Sequence, residues 1–191
     1  MSTVAPLREF VVALTDLIES GADEARILKD GRELVGKLVA KDDWLPDAFA
    51  QPHPQYYQQY LLYADPRERF SVVSFVWGPG QKTPVHDHTV WGIVGVLRGE
   101  EREVTYRKTA AGAYEQSGNG VLGAGGVTAV SPTIGDVHTV ENALTDRASI
   151  SIHVYGGNIG RISRHVFDAA TGEAKPFVSG YVSDVVPNLW S

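Results

Sequence analysis

The chain of 191 residues has no cysteine. That absence excludes disulfide scaffolding, thiolate metal sites, iron-sulfur clusters and a cysteine nucleophile, and it confines any metal to His, Asp or Glu ligands. Such donors suit ferrous iron, manganese, nickel or zinc better than a soft ion such as cuprous copper. No stripe of Lys and Arg stands out, and the formal net charge is -6, so the attraction that dominates nucleic-acid binding is missing. No run approaches the long uncharged apolar stretch of a membrane span. The opening MSTVAPLREF has no basic segment leading into a hydrophobic secretory core, and a cytoplasmic location is expected. There is no internal repeat, no low-complexity tract, no P-loop and no dinucleotide-binding fingerprint, so the glycine-rich segments read as turns.

What is present is an ordinary globular composition, 43% hydrophobic and 21% charged. With no break in composition, residues 1–191 are expected to form one domain around one core. Leu7, Phe10, Val11, Leu14 and Leu17 recur at the steps of an amphipathic helix. A second helical run follows from Asp23 through Leu28, Leu34, Leu38 and Val39, with Gly31 interrupting it. The helical segment is placed at 1–45. From Tyr56 the pattern changes to short runs rich in Val, Ile, Tyr and Phe: 57–63, 70–77, 89–97, 101–107, 127–130 and 148–155. Clusters such as Gly78-Pro79-Gly80 and Arg98-Gly99-Glu100 punctuate them. Many short strands with such turns predict an all-β antiparallel barrel over 56–160, and the tail 161–191 is expected to wrap it.

The histidines carry the chemistry. In PVHDHTVWG, His86 and His88 stand two apart, a spacing that on an extended strand puts both rings on one face and Asp87 on the other. In SPTIGDVHTVEN, Gly135 allows a tight turn ahead of His138. An antiparallel barrel can bring that third imidazole beside the first pair and leave coordination positions open. Ser151, His153 and Tyr155 alternate along SIHVY, so one strand face can carry them as a hydrogen-bonded row. A strand whose polar side faces water has the same pattern.

The segments from Gly80 through His86 and His88 to Gly99, and from Gly126 through Pro132, Gly135 and His138 to Asn142, resemble the two motifs of the cupin superfamily, whose fold is a β-barrel jelly roll. The glutamate usual after the His-x-His pair is missing, since Trp91-Gly92-Ile93 stands there. A three-histidine site without that acid resembles the thiol dioxygenases of the cysteine dioxygenase family, and the resemblance is clearest over 56–181. It implies Fe(2+) held by His86, His88 and His138, with catalytic Tyr155, His153 and Ser151 beside it. It also implies a small thiol carboxylate and dioxygen as the molecules bound.

Family members acting on cysteine typically have an arginine where this chain best aligns Gln59, and many crosslink the active-site tyrosine to a cysteine that is absent here. In this respect the chain is similar to the bacterial 3-mercaptopropionate dioxygenases, in which an arginine after the row takes the carboxylate; Arg164 is the closest match and Arg161 the competitor. A guanidinium-carboxylate fork is the physical reason for wanting an arginine inside. The resemblance thus implies oxidation of 3-mercaptopropionate to 3-sulfinopropionate. The alternatives are a cysteine dioxygenase or less specific thiol dioxygenase, and a cupin isomerase or hydrolase using another divalent metal. His53, between prolines, and His165, next to Arg164, are expected outside the site. No nucleic acid or membrane partner is expected, and a monomer is.

Overall fold

The structure, a computed structural model, describes residues 3–190. Two helices, α1 (Ala5–Glu19) and α2 (Glu24–Val39), precede ten strands: β1 (Gln58–Ala64), β2 (Ser71–Trp77), β3 (Gly92–Arg98), β4 (Glu100–Lys108), β5 (Tyr114–Gly123), β6 (Val127–Val130), β7 (His138–Asn142), β8 (Ser149–Tyr155), β9 (Arg164–Phe167) and β10 (Ala174–Phe177). The strands pair antiparallel in the orders β1-β2-β8-β3-β6 and β5-β4-β7, with β9 and β10 as a hairpin. This is a cupin jelly roll with an N-terminal helical pair. Among the described residues no helix is long and apolar enough to cross a membrane.

The helices exist to cover the larger sheet. In α1 the periodic residues Leu7, Phe10, Val11, Leu14 and Leu17 are all buried. Asp23 caps α2 by accepting a hydrogen bond from the Arg26 amide at 2.9 Å, an interaction that contributes about 1 kcal/mol in comparable helices. Gly31 fits because α2 lies almost on the sheet: a Cβ there would stand 2.6 Å from Ile93 Cδ1, and one on Gly95 would stand 2.6 Å from Val35 Cγ1.

That coverage makes both faces of the central strands interior. On β2, Val72 and Val76 join the core under the helices while Val73, Phe75 and Trp77 face the barrel. On β8, Ile150, Ile152 and Val154 join the helix-side core, so alternation turns Ser149, Ser151, His153 and Tyr155 inward. Every residue of β2 and β8 is buried.

The tail expected to wrap the barrel forms the β9–β10 hairpin, and within 56–160 two strands escape the sequence pattern. β5 is a mostly exposed, glycine-containing run that alternation alone does not mark, and its full-length pairing with β4 defines it. β7 lies inside the segment read as a turn and a ligand. One expectation also needs correction: His86 and His88 do not lie on a regular strand. Their segment is extended, with His86 bridged to His138 on one side and to Val166 on the other.

Candidate metal centre and its cavity

The two bridges at His86 bring the three histidines together. His86 and His138 exchange both backbone hydrogen bonds at 3.1 Å, and on the other flank the Phe167 amide donates to Val85 O at 2.8 Å. His86, His88 and His138 are all buried, with ligand nitrogens within 4.8 Å of one another. Their ring centroids are 4.8–4.9 Å apart.

Each imidazole is oriented through its other nitrogen. His86 Nδ1 lies 3.0 Å from Pro84 O, His88 Nδ1 2.9 Å from Asp136 Oδ1, and His138 Nδ1 2.6 Å from Glu103 Oε1. A carbonyl only accepts and a carboxylate accepts when ionised, so each Nδ1 carries the hydrogen and each Nε2 keeps its lone pair for a metal. Asp136 is itself fixed, because its Oδ2 accepts from the His88 and Thr89 amides at 3.0 and 2.9 Å. Burial, reinforced by the neighbouring imidazoles, holds His86 and His88 well below the usual histidine pKa, which keeps them neutral and ready to coordinate.

Beside the triad runs the row predicted from alternation. Ser151 Oγ is 2.8 Å from His153 Nε2, and His153 Nδ1 is 2.8 Å from the Tyr155 hydroxyl. Trp77 Nε1 donates to Ser151 Oγ at 3.2 Å. The Phe75 ring stacks on His153 with centroids 4.1 Å apart, and the Tyr155 ring stacks on His88 at 5.4 Å. Burial pushes the Tyr155 phenol well above its ordinary pKa, so it stays a neutral hydroxyl.

The triad and the row open on a cavity of about 270 Å³, walled by Tyr57, Phe75, Trp77, Val140 and Phe177 among others. Gln59 and Arg164 also line it. Arg164 is only 3% exposed. Its Nη2 donates to Ser179 Oγ at 2.8 Å, its guanidinium lies 4.6 Å from the Phe177 ring centre, and its Nε has no hydrogen-bond partner. Gln59 Oε1 is likewise buried without a partner. Arg161 corrects an expectation. It is exposed on the outer surface, 3.6 Å from Glu68, and does not line the cavity, because the short helical turn Ile159–Arg161 ends with its side chain outward.

The other two histidines stay outside. His53 Nδ1 accepts amide hydrogen bonds from Gln55 and Tyr56 in a turn. His165 pairs with Asp87 at 2.9 Å, and the Asp87 carboxylate also accepts from the His165 amide at 2.7 Å. The middle residue of the His-Asp-His segment thereby anchors β9, the strand that carries Arg164. Sequence reasoning missed Glu103, Asp136 and the anchoring work of Asp87. Asp136 could have been noticed two residues before His138, whereas nothing local marks Glu103.

A family match covers most of the chain, including this site. The family model described as cysteine dioxygenase type I matches residues 30–168. The chain belongs to the cysteine dioxygenase type I family. A three-histidine set without an acidic ligand, buried and with every Nδ1 engaged, fits the ferrous iron of that family. Family and triad together support a non-haem ferrous thiol dioxygenase. Among solved structures, the chain resembles an uncharacterized conserved protein with a double-stranded β-helix domain from Klebsiella pneumoniae at 22% identity, covering 59% of this chain and 87% of that one with a TM-score of 0.44. It also resembles a cupin superfamily protein from Desulfitobacterium hafniense at 12% identity, covering 62% and 94% with a TM-score of 0.46. A third, an oxalate decarboxylase from Lactobacillus farciminis, is 15% identical over 62% of this chain and 34% of that one, with a TM-score of 0.45.

Proposed function

We propose that this thiol dioxygenase prefers 3-mercaptopropionate and converts it with dioxygen to 3-sulfinopropionate. The observation that supports the reading is Arg164, a buried guanidinium on the cavity wall that makes no ion pair with a carboxylate among the described residues. A buried charge without a partner is costly, and a substrate carboxylate is the partner that would offset it. Among the described residues the cavity wall includes no Asp or Glu. The ammonium of cysteine would therefore enter beside Arg164 without an acidic partner, whereas 3-mercaptopropionate has a carboxylate and no amine.

Bound ferrous iron supplies affinity for the thiolate and the redox chemistry by which both atoms of dioxygen end on sulfur. The chain's own groups do the positioning. Arg164 fixes the carboxylate end, the aromatic wall of Tyr57, Phe75 and Trp77 excludes water, and Gln59 offers an uncharged acceptor where a second cation would change selectivity. Tyr155 directs its hydroxyl through His153 and Ser151. In this reading His86, His88 and His138 are the ligands, Tyr155, His153 and Ser151 the catalytic row, and Arg164 and Gln59 the substrate contacts.

Cysteine is the second reading, and the observation in its favour is the family match itself. Oxygen consumption by the iron-loaded protein, with 3-mercaptopropionate and L-cysteine over a concentration series, decides between them. A much larger kcat/KM for 3-mercaptopropionate supports the proposal and a preference for cysteine replaces it. No uptake with either thiol returns the triad to a cupin isomerase or hydrolase using another divalent metal.

A further inference from the structure

The catalytic row does not end at Ser151. Glu101 stands on β4 two residues before Glu103, so both carboxyl groups point into the barrel. Glu103 is engaged by His138, but Glu101 is 3% exposed and neither of its oxygens closes a hydrogen bond. Its polar neighbours are the hydroxyls of Ser151 and Ser149 on β8, and the Ser149 hydroxyl is also unpaired. Neither Glu101 nor Ser151 lines the cavity, whereas His153 and Tyr155 do. A buried, unbonded acid beside the inner end of a hydrogen-bonded row asks for an explanation, because leaving both oxygens unsatisfied has no packing advantage over an apolar residue.

We propose that Glu101 is a positioning residue that sets, through Ser151 and His153, whether the Tyr155 hydroxyl donates or accepts a hydrogen bond at the metal cavity. The inference rests on the proposed role of the row.

Counting donors and acceptors fixes the direction of each bond in the row. Trp77 Nε1 can only donate, and it occupies one lone pair of Ser151 Oγ. Burial holds the His153 pKa well below normal, so the ring is neutral and one nitrogen carries the hydrogen. When Glu101 is protonated, its O–H donates to Ser151 Oγ and fills the second lone pair. The Ser151 hydrogen then goes to His153 Nε2, His153 Nδ1–H donates to the Tyr155 oxygen, and the Tyr155 hydrogen is free to enter the cavity. When Glu101 is ionised it accepts from Ser151 instead. His153 Nε2–H donates to Ser151, Nδ1 accepts from Tyr155, and the phenol presents only lone pairs to the cavity. One proton leaves Glu101 for solvent, and every other hydrogen in the row turns one place along it.

Burial pushes the Glu101 carboxyl up to about 8, opposed only by the two serine hydroxyls. Its register partners are Asn142 from β7 and Leu122 from β5, and the hydroxyls of Ser149 and Ser151 face it from β8, with Trp77 of β2 and His153 of β8 reached through Ser151. The Arg102–Glu141 pair is exposed on the opposite face of the sheet. His153 is thus the titratable group coupled to it along the row.

The test uses the full chain and the variant Glu101→Gln. In protein carrying diamagnetic zinc in place of iron, nitrogen NMR of labelled histidine reads the His153 tautomer across pH. Infrared spectroscopy follows the protonated-carboxyl band on the same samples. The wild type should change from Nδ1–H to Nε2–H with the midpoint at which the carboxyl band disappears, and Glu101→Gln should lose the band and keep one tautomer throughout. In the iron-loaded enzyme, kcat with the better thiol should fall as wild type passes that midpoint and stay flat in the variant. A His153 tautomer that does not change with pH in the wild type, or that changes identically in Glu101→Gln, overturns the inference. Should the variant fail to fold, unequal wild-type midpoints for tautomer and carboxyl band overturn it alone. Tautomer coupling without thiol oxidation would remove the functional reading and leave this one, and oxidation without coupling would do the reverse.

Discussion

Replacing Arg164 by methionine separates binding from folding. The side chain is 3% exposed, spends one N–H on Ser179, lies over Phe177 and leaves Nε unpaired. Methionine keeps the apolar stem against Phe177 and removes a buried charge that no protein carboxylate offsets, so the melting temperature of the iron-loaded protein should stay level or rise. In the proposed binding mode the substrate carboxylate loses a charge-assisted fork. Truncating one partner of a buried hydrogen-bonded charge pair costs about 2–5 kcal/mol, which at about 1.4 kcal/mol per decade is roughly 30- to 4,000-fold in kcat/KM. The loss should be confined to thiols that carry a carboxylate. Cysteamine, which has none, should be oxidised no more slowly by the variant than by wild type, and the removal of a like charge beside its ammonium should help it. Oxygen-electrode rates with 3-mercaptopropionate and cysteamine, beside a thermal melt of each protein, provide the comparison. Equal loss on both thiols with a lowered melting temperature would refute the reasoning, since Arg164 would then be holding the barrel together. Unchanged kcat/KM for the carboxylate would refute it as well.

Four further outcomes follow from the same geometry. Glu103→Gln weakens the orientation of His138, and iron affinity measured by competition with a chelator should fall about 10- to 100-fold. Tyr155→Phe keeps the stacking on His88 but removes the hydroxyl bonded to His153; kcat should fall about 100-fold or more with iron content by metal analysis unchanged. Gly95→Ala places a methyl 2.6 Å from Val35 Cγ1 and 3.0 Å from Val39 Cγ1, and chemical denaturation should show a loss of about 1–3 kcal/mol. The Glu101 carboxyl, raised to about 8 by burial, binds its proton more tightly folded than unfolded. Stability should therefore decline as pH rises from the unfolded carboxyl range near about 4.3 through about 8, and the decline should be shallower in Glu101→Gln across a pH series of melts.

The parts of the site legible in the sequence are those whose geometry is local. Ser151, His153 and Tyr155 needed only the two-residue period of one strand, and β8 supplies it without a bulge against β2. His86 and His88 needed only an extended backbone, which two flanking bridges provide even though no regular strand forms. The helices were legible for the same reason, because the burial of Leu7, Phe10, Val11, Leu14 and Leu17 repeats with the turn. What could not be read was everything set by pairing between distant segments. The polar run 114–123 becomes a strand because β4 lies beside it, and Glu103 reaches His138 because β4 also pairs with β7.

Asp87 marks the boundary between the two kinds of information. Alternation correctly turns it away from the metal, which on a free strand edge would leave it in water. The structure instead puts the β9 hairpin there, and the carboxylate closes on both the amide and the ring of His165. Because Arg164 and His165 are neighbours on β9, fixing one outward fixes the other inward. The segment that supplies two metal ligands therefore also determines the direction of the arginine on the cavity wall. The metal-ligand segment and the arginine of the cavity wall are in this way tied together through a single stretch of backbone, and a side chain between the ligands that looks like a spacer is what joins them.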